Sequence, residues 1–358
     1  MPEPNDSFSG LLPLVQYNKA SSVSFVGMAK NVGKTVSFNH LIRQATAHKL
    51  RLGLTSIGRD GERRDEVFHS PKPRIFAPAG ALLATARGSL ARSEVCFEVL
   101  LDTGLPTAIG EVVLVRTRKA GFVELAGPTL ISQQKFIQTL FAEYGADLTL
   151  IDGALDRVSP AVPGLTQATI LATGAAVGAS IEIILKKTMD RLQRLALPRM
   201  KDIDGNSCRQ IIDSCKAAIL DEDNQITILP VEHSLLAGKH LLKSITRQTQ
   251  TVILAGAVGD AILECLLASK TRGAVQLVIK NGAALFCSAA LWRRFSAAGG
   301  LIRVVEPIQL LAVTVNPASP SGSLFEAQDF FARIAEGLAP YTVVDVVAGL
   351  STFTGGMK

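Results

Sequence analysis

The feature that most constrains this chain is a short apolar run that ends on a glycine-bounded, lysine-bearing loop. Ser22-Val-Ser-Phe-Val26 reads as a buried strand, Gly27-Met-Ala-Lys-Asn-Val-Gly-Lys-Thr35 as a tight loop, and Val36–Lys49 as a helix. Strand, small-residue loop and helix in that order make an anion-binding turn. Consecutive backbone N–H groups point inward, and the helix start adds further donors and a partial positive charge. The residues that close the loop suit a nucleoside triphosphate: Lys34 would reach the β- and γ-phosphates and the Thr35 hydroxyl would hold magnesium. The expected nucleotide contacts are Gly27, Lys30, Asn31, Val32, Gly33, Lys34, Thr35 and Val36. The expected ligand is ATP with Mg2+, although no base-specificity motif separates ATP from GTP.

The loop is one residue longer between its glycines than the common Gly-x-x-x-x-Gly-Lys-Ser/Thr pattern, and Met28 stands at the usual glycine position. In this it resembles the loop of dethiobiotin synthetase and its relatives. The bland alternative is a chance Gly-Lys-Thr in an ordinary strand–helix turn, which the strand before and the helix after argue against. Lys30 is open to two readings: a solvated loop lysine, or a phosphate contact made in cis or across a homodimer.

A magnesium–nucleotide site wants a carboxylate at the carboxyl end of a neighbouring strand. Asp152 is the first candidate, since it ends the strand-like Leu148-Thr-Leu-Ile151 and is followed by Gly153. With Thr35 it makes up the expected metal site; its alternative is a capping role for the next segment. The second candidate lies in Thr55-Ser-Ile-Gly-Arg-Asp-Gly-Glu62, where Asp60 could position water or metal and Arg59 could pair with a phosphate or carboxylate. Asp-Gly is also a common turn dipeptide, so a plain surface turn stays open. Lys34, Asp60 and Asp152 are the expected catalytic residues. Glu124, in Val123-Glu-Leu-Ala-Gly-Pro128, is a weaker acidic candidate.

Other chemistry is not visible. The histidines have no metal-ligand spacing, and no Gly-x-Ser-x-Gly elbow occurs. Gly256-Ala-Val-Gly-Asp260 follows a strand and opens a helix, but it lacks the full dinucleotide fingerprint and reads as a close-packed turn.

Strand-like and helical runs alternate along the chain, which implies an α/β protein with a mostly parallel sheet. The expected architecture is a P-loop NTPase sheet with helices on both faces over residues 21–240, after a loose leader over 1–20. A second, smaller α/β domain is expected over 241–358, with residues 198–224 as a connecting region. Residues 58–80, rich in Gly, Pro, Arg and Asp, read as a long irregular excursion. Aromatic residues make up only 5% of the chain, so the cores must be aliphatic. The same scarcity weighs against stacking on single-stranded nucleic acid, although the net charge of +6 favours an anionic partner of some kind. Five cysteines without a C-x-x-C pair suit a reduced, cytoplasmic setting. No signal peptide or spanning segment is expected.

Four elements occur in order: Gly27–Thr35, Gly53-Leu-Thr-Ser-Ile-Gly-Arg-Asp-Gly-Glu62, Val123–Pro128 and Ile151-Asp-Gly-Ala-Leu-Asp-Arg157. Together they resemble the smaller reactivase component of the adenosylcobalamin-dependent lysine 5,6-aminomutase and ornithine 4,5-aminomutase systems. The resemblance runs from about residue 20 to the C-terminus, where Asn316-Pro317 and Val344-Asp345 also fit it. It implies an ATP-dependent reactivating chaperone subunit that works with a larger ATPase resembling mismatch-repair ATPases. The pair would release damaged cobalamin from an inactivated aminomutase, with residues 53–62 as a switch loop. The chain itself has no Asp-x-His-x-x-Gly cobalamin-ligand motif. Two other readings stand beside it: an ATP-dependent ligase or kinase for a small carboxylic acid, and a non-catalytic interaction protein that keeps the loop as structure.

Overall fold

The computed structural model describes residues 10–58, 74–153, 165–200, 205–214, 216–230, 237–269, 271, 275–319, 322 and 325–355. The chain divides into two units, residues 1–189 with 309–358, and residues 190–308.

The first unit is built on a ten-stranded sheet. Its strands are β1 (Ser22–Gly27), β2 (Leu52–Ser56), β4 (Leu82–Ala86), β5 (Phe97–Thr107), β6 (Gly110–Thr117), β8 (Leu148–Asp152), β9 (Ala168–Gly174), β15 (Leu310–Asn316), β16 (Val343–Asp345) and β17 (Leu350–Ser351). They lie in the order β17-β16-β15-β9-β1-β8-β2-β4-β6-β5. Neighbours from β16 to β4 run parallel, and the hairpin β5–β6 and strand β17 add antiparallel edges. The loop after β1 therefore leaves the centre of the parallel block, where its neighbours β8 and β9 end on the same edge. A separate antiparallel ribbon pairs β3 (Ile75–Ala77) with β7 (Gly121–Val123).

Because side chains alternate along a strand, one strand feeds two cores. Leu83, Val113 and Val115 join Phe25, Leu54 and Leu150 under helices α1 (Leu11–Tyr17) and α2 (Lys34–Ala47). Leu82, Ala84, Val112 and Leu114 face the other way and pack with Ile137, Leu140 and Phe141 of α4 (Ile131–Glu143). Helices thus cover both faces. Helix α2 buries Phe38, Leu41, Ile42 and Ala45, a spacing that places all four on one stripe. Phe38 meets Phe25 of β1 edge-to-face at 5.2 Å. The remaining helices of this unit are the single turn α3 (Arg87–Leu90), the start of α5 (Ile181–Leu195), within which the division falls, and α10 (Ala327–Gly337).

The second unit holds a five-stranded sheet of order β11-β10-β12-β13-β14. Its strands are β10 (Ala217–Asp221), β11 (Ile226–Leu229), β12 (Thr249–Leu254), β13 (Gln276–Ile279) and β14 (Leu301–Val304). The last three are parallel, and β10 is antiparallel to both its neighbours. Helices α6 (Gly205–Asp213), α7 (Ala237–Ser244), α8 (Asp260–Ala268) and α9 (Ala289–Ala297) accompany it.

The architecture is mixed α/β with a large, mostly parallel sheet and a second, smaller sheet, as the alternation of runs implies. Several details differ from the expectation. Part of the leader is ordered: Leu11, Leu12, Leu14 and Val15 are buried, and Gln44 of α2 accepts from the N–H groups of Leu11 and Leu12 at 3.0 Å each. The second unit is an insertion that returns the chain to the first sheet, so β15 lies beside β9 rather than in a C-terminal domain ending at residue 358. The expected boundary near residue 240 falls inside the second unit, and the expected connector 198–224 contains α6 and β10. A local pattern of apolar runs carries no signal for which sheet a late strand will join.

Candidate functional site

The loop is held at both ends by the sheet. At its start, Met28 N–H donates to Ala172 O of β9 at 2.8 Å. Two residues take left-handed backbone, Asn31 at φ 63° and Gly33 at φ 86°. At Gly33 glycine is also needed for space, because a Cβ there would lie 3.2 Å from Cβ of Asn316. The Asn316 side chain, at the end of β15, donates to Asn31 O at 3.1 Å and accepts from Ala318 N–H at 3.1 Å. Gly33 O then accepts from Ser37 N–H at 2.9 Å, which starts the helical ladder of α2.

Lys34 is the first residue of α2, and its side chain is turned back into the protein. Its ammonium pairs with Asp152 Oδ1 at 3.0 Å and donates to Gly153 O; the two side chains are 8% and 6% exposed. Burying an ammonium is expensive unless it is paired, and here the partners are a carboxylate and a carbonyl. Asp152 sits beside Phe25 of β1 and Ser56 of β2 in register, so it ends at the sheet edge from which the loop departs. Its carbonyl accepts from Ile57 N–H at 3.0 Å, and Gly153 N–H donates to Phe25 O at 3.0 Å.

Loop and strand ends border one cleft of about 310 Å³. Loop residues from Ala29 to Thr35 line it together with Asp152, Arg74, Arg92 and Glu124. Arg92 grips Glu124 as a two-point fork, Nε to Oε2 at 2.6 Å and Nη2 to Oε1 at 2.7 Å. Those bonds raise the pKa of Arg92 above its ordinary value. Arg74 pairs with Glu94 at 2.6 Å and lies 5.0 Å from the centre of the Phe122 ring.

The structure brings Lys30, Asn31, Val32, Gly33, Lys34, Thr35 and Asp152 together at this cleft. Lys30 is exposed there. Gly27 is the buried last residue of β1, and Val36 points off the cleft lining. Asp60, Arg59 and Glu62 lie outside the described residues, as do Asp156 and Arg157. Three cleft or loop residues escaped the sequence reading of the site: Arg74, Arg92 and the side chain of Asn316. Arg74 and Arg92 follow no motif spacing. Asn316 is legible only once β15 is known to neighbour β9.

Thr35 supplies a hydroxyl and Asp152 a carboxylate, the hard oxygen donors that Mg2+ takes when phosphates and waters complete its shell. Among the described residues no group of three or more His, Cys, Asp and Glu side chains is placed to hold a metal. In the second unit, burial pushes the Cys287 thiol up to about 11, which removes it as a nucleophile. Among the described residues no helix is long and apolar enough to cross a membrane.

No family model and no curated protein matches the chain. Among solved structures, the signal recognition particle receptor FtsY from Elizabethkingia anophelis is similar at 11% identity and a TM-score of 0.26, covering 90% of this chain and 69% of that one. A likeness that low carries no weight, so function rests on the chain's own residues.

Proposed function

We propose that this chain is a P-loop protein that binds MgATP in the turn between β1 and α2. The observation that carries the reading is the first residue of α2, Lys34, buried against Asp152 at the carboxyl edge of a parallel sheet. Backbone N–H groups of the loop would cradle the β-phosphate, and Lys34 would exchange part of its pairing with Asp152 for phosphate oxygens. Asp152 and Thr35 would then hold Mg2+, which would supply charge neutralisation to the bound phosphates.

The wider role we propose is that of a cytoplasmic, nucleotide-dependent reactivating subunit for an adenosylcobalamin-dependent aminomutase, acting with a larger ATPase. Its support is the order of the four sequence elements around Gly27–Thr35, Gly53–Glu62, Val123–Pro128 and Ile151–Arg157.

The test is a calorimetric titration with MgATP and MgGTP. Lys34→Ala should weaken binding by about 100-fold, the loss of charge-assisted bonds to two phosphates. Because that variant strands a buried carboxylate, Lys34→Met combined with Asp152→Asn serves as the folded control and should be equally deficient. Wild-type protein that binds neither nucleotide would overturn the reading.

A further inference from the structure

Glu124 lines the same cleft as the loop, on an element fixed by the ends of other strands. Glu124 N–H donates to Ser93 Oγ at 3.1 Å, and its carbonyl accepts from Thr85 Oγ1 of β4 at 3.1 Å. Two residues on, Ala126 N–H donates to Thr85 Oγ1 at 2.8 Å, and Gly127 N–H donates to Ser56 Oγ of β2 at 3.1 Å. A Cβ at Gly127 would lie 2.0 Å from Ser56 O, so the element lies flush on the end of β2, next to Asp152. The Glu124 carboxylate is then set by the two bonds from Arg92, with Ser89 Oγ at 3.4 Å.

Stability does not explain a carboxylate placed there. The pair is 45% and 33% exposed, and pairs of that exposure contribute little. A carboxylate in the cleft of a phosphate loop also repels the ligand the loop attracts. It is tolerable where the guanidinium neutralises it, and useful where a nucleophile needs a fixed acceptor.

We infer that Glu124 positions the water that attacks the γ-phosphorus, and that Arg92 is the positioning residue that keeps Glu124 aimed. The inference rests on the MgATP reading of the loop. In the step, a bond forms between the water oxygen and the γ-phosphorus while the bond from that phosphorus to the β–γ bridging oxygen breaks. The leaving ADP keeps the electron pair. One water proton stays on the released phosphate and the other passes to solvent. Such transfers have loose transition states and need alignment more than early proton removal. A carboxylate held in a guanidinium fork is a weak base and a good hydrogen-bond acceptor, which matches alignment.

The experiment is single-turnover phosphate release from MgATP, with MgATP affinity measured on the same samples. Glu124→Gln should slow release by about 100-fold, the cost of a misplaced reactant, while affinity stays within about threefold of wild type. Glu124→Asp keeps the charge on a shorter stem and should also be slow at near-normal affinity. Arg92→Ala should slow release at near-normal MgATP affinity, because Glu124 loses the fork that aims it. Arg92→Lys should restore only part of the rate, since an ammonium cannot form the fork. Wild-type rates in both Glu124 variants would overturn the inference, as would wild-type protein that binds MgATP and releases no phosphate. Wild-type protein that fails to bind MgATP would instead overturn the nucleotide reading on which it stands.

Discussion

The chain contains two strand–glycine–helix turns of the same outline, one in each unit. The turn after β1 ends on Gly33 at φ 86° and opens helix α2 with Lys34. The turn after β12 ends on Gly259 at φ −103° and opens helix α8 with Asp260. In the second turn, Val258 N–H donates to Ala284 O and Phe286 N–H to Val258 O, both at 2.8 Å, and the Asp260 carboxylate accepts from Ser288 N–H at 2.5 Å. The first residue of α8 thus brings an anion to that helix start, where α2 brings a cation. A carboxylate at that place satisfies the helix dipole and repels any phosphate that approaches. The outline alone therefore does not make a nucleotide site. The two turns differ in the charge of the first helical residue and in the backbone of the glycine before it.

The sharpest way to break this comparison is to remove the anion that holds Lys34. Asp152→Ala takes the carboxylate away from a buried ammonium, and should cost about 3 kcal/mol of unfolding free energy. Chemical denaturation reads this directly, and a cost near zero would mean that Lys34 swings out to solvent. Next in size is the glycine pair. Gly33→Ala must hold a left-handed conformation and press on Asn316, so about 1–2 kcal/mol of destabilisation is expected, together with weaker MgATP binding. Gly259→Ala meets nothing within 4 Å at an ordinary φ, and should change stability by no more than about 0.5 kcal/mol. Equal effects at the two positions would show that the loop at Gly33 is not under conformational constraint.

Local chemistry was readable where one residue type suffices. Gly33, Lys34 and Thr35 announce the loop by their order, and Asp152 announces itself by following an apolar strand. All four residues line one cleft. Helix α2 and strands β1, β2 and β8 were legible for the same reason, since each is bounded by its own turn residues. What stayed hidden depends on long-range pairing. Asn316 supports the loop from a strand almost three hundred residues away, at a sequence separation of 285 from Asn31. Arg92 and Glu124 meet only because Thr85, Ser89 and Ser93 gather that element onto β4. The insertion of residues 190–308 was invisible for a related reason: the run Leu311–Val315 is equally apolar whichever sheet it completes.

Strands β2 and β8 offer a final, smaller contrast, because an ion pair stands at each end of their shared ladder. At the carboxyl end the pair is Lys34–Asp152, which is buried. At the amino end Arg51 donates to Asp147 from Nε at 3.0 Å and from Nη2 at 2.8 Å, with the side chains 65% and 36% exposed. The bonds from the Arg51 side chain, then from its backbone N–H, lower Asp147 from 3.8 to about 2. A depressed carboxyl pKa means stability that is present above the unfolded value and is lost as the pH falls through the folded one. Solvent screening keeps the contribution below about 1 kcal/mol. Asp147→Asn should therefore show a deficit of that size at neutral pH, measured by urea denaturation. The deficit should fade as the pH drops from about 4 toward 2, and should shrink at about 1 M salt. A deficit as large as that of Asp152→Ala, or one that survives acid and salt, would mean that burial is not what separates the two ends of the ladder.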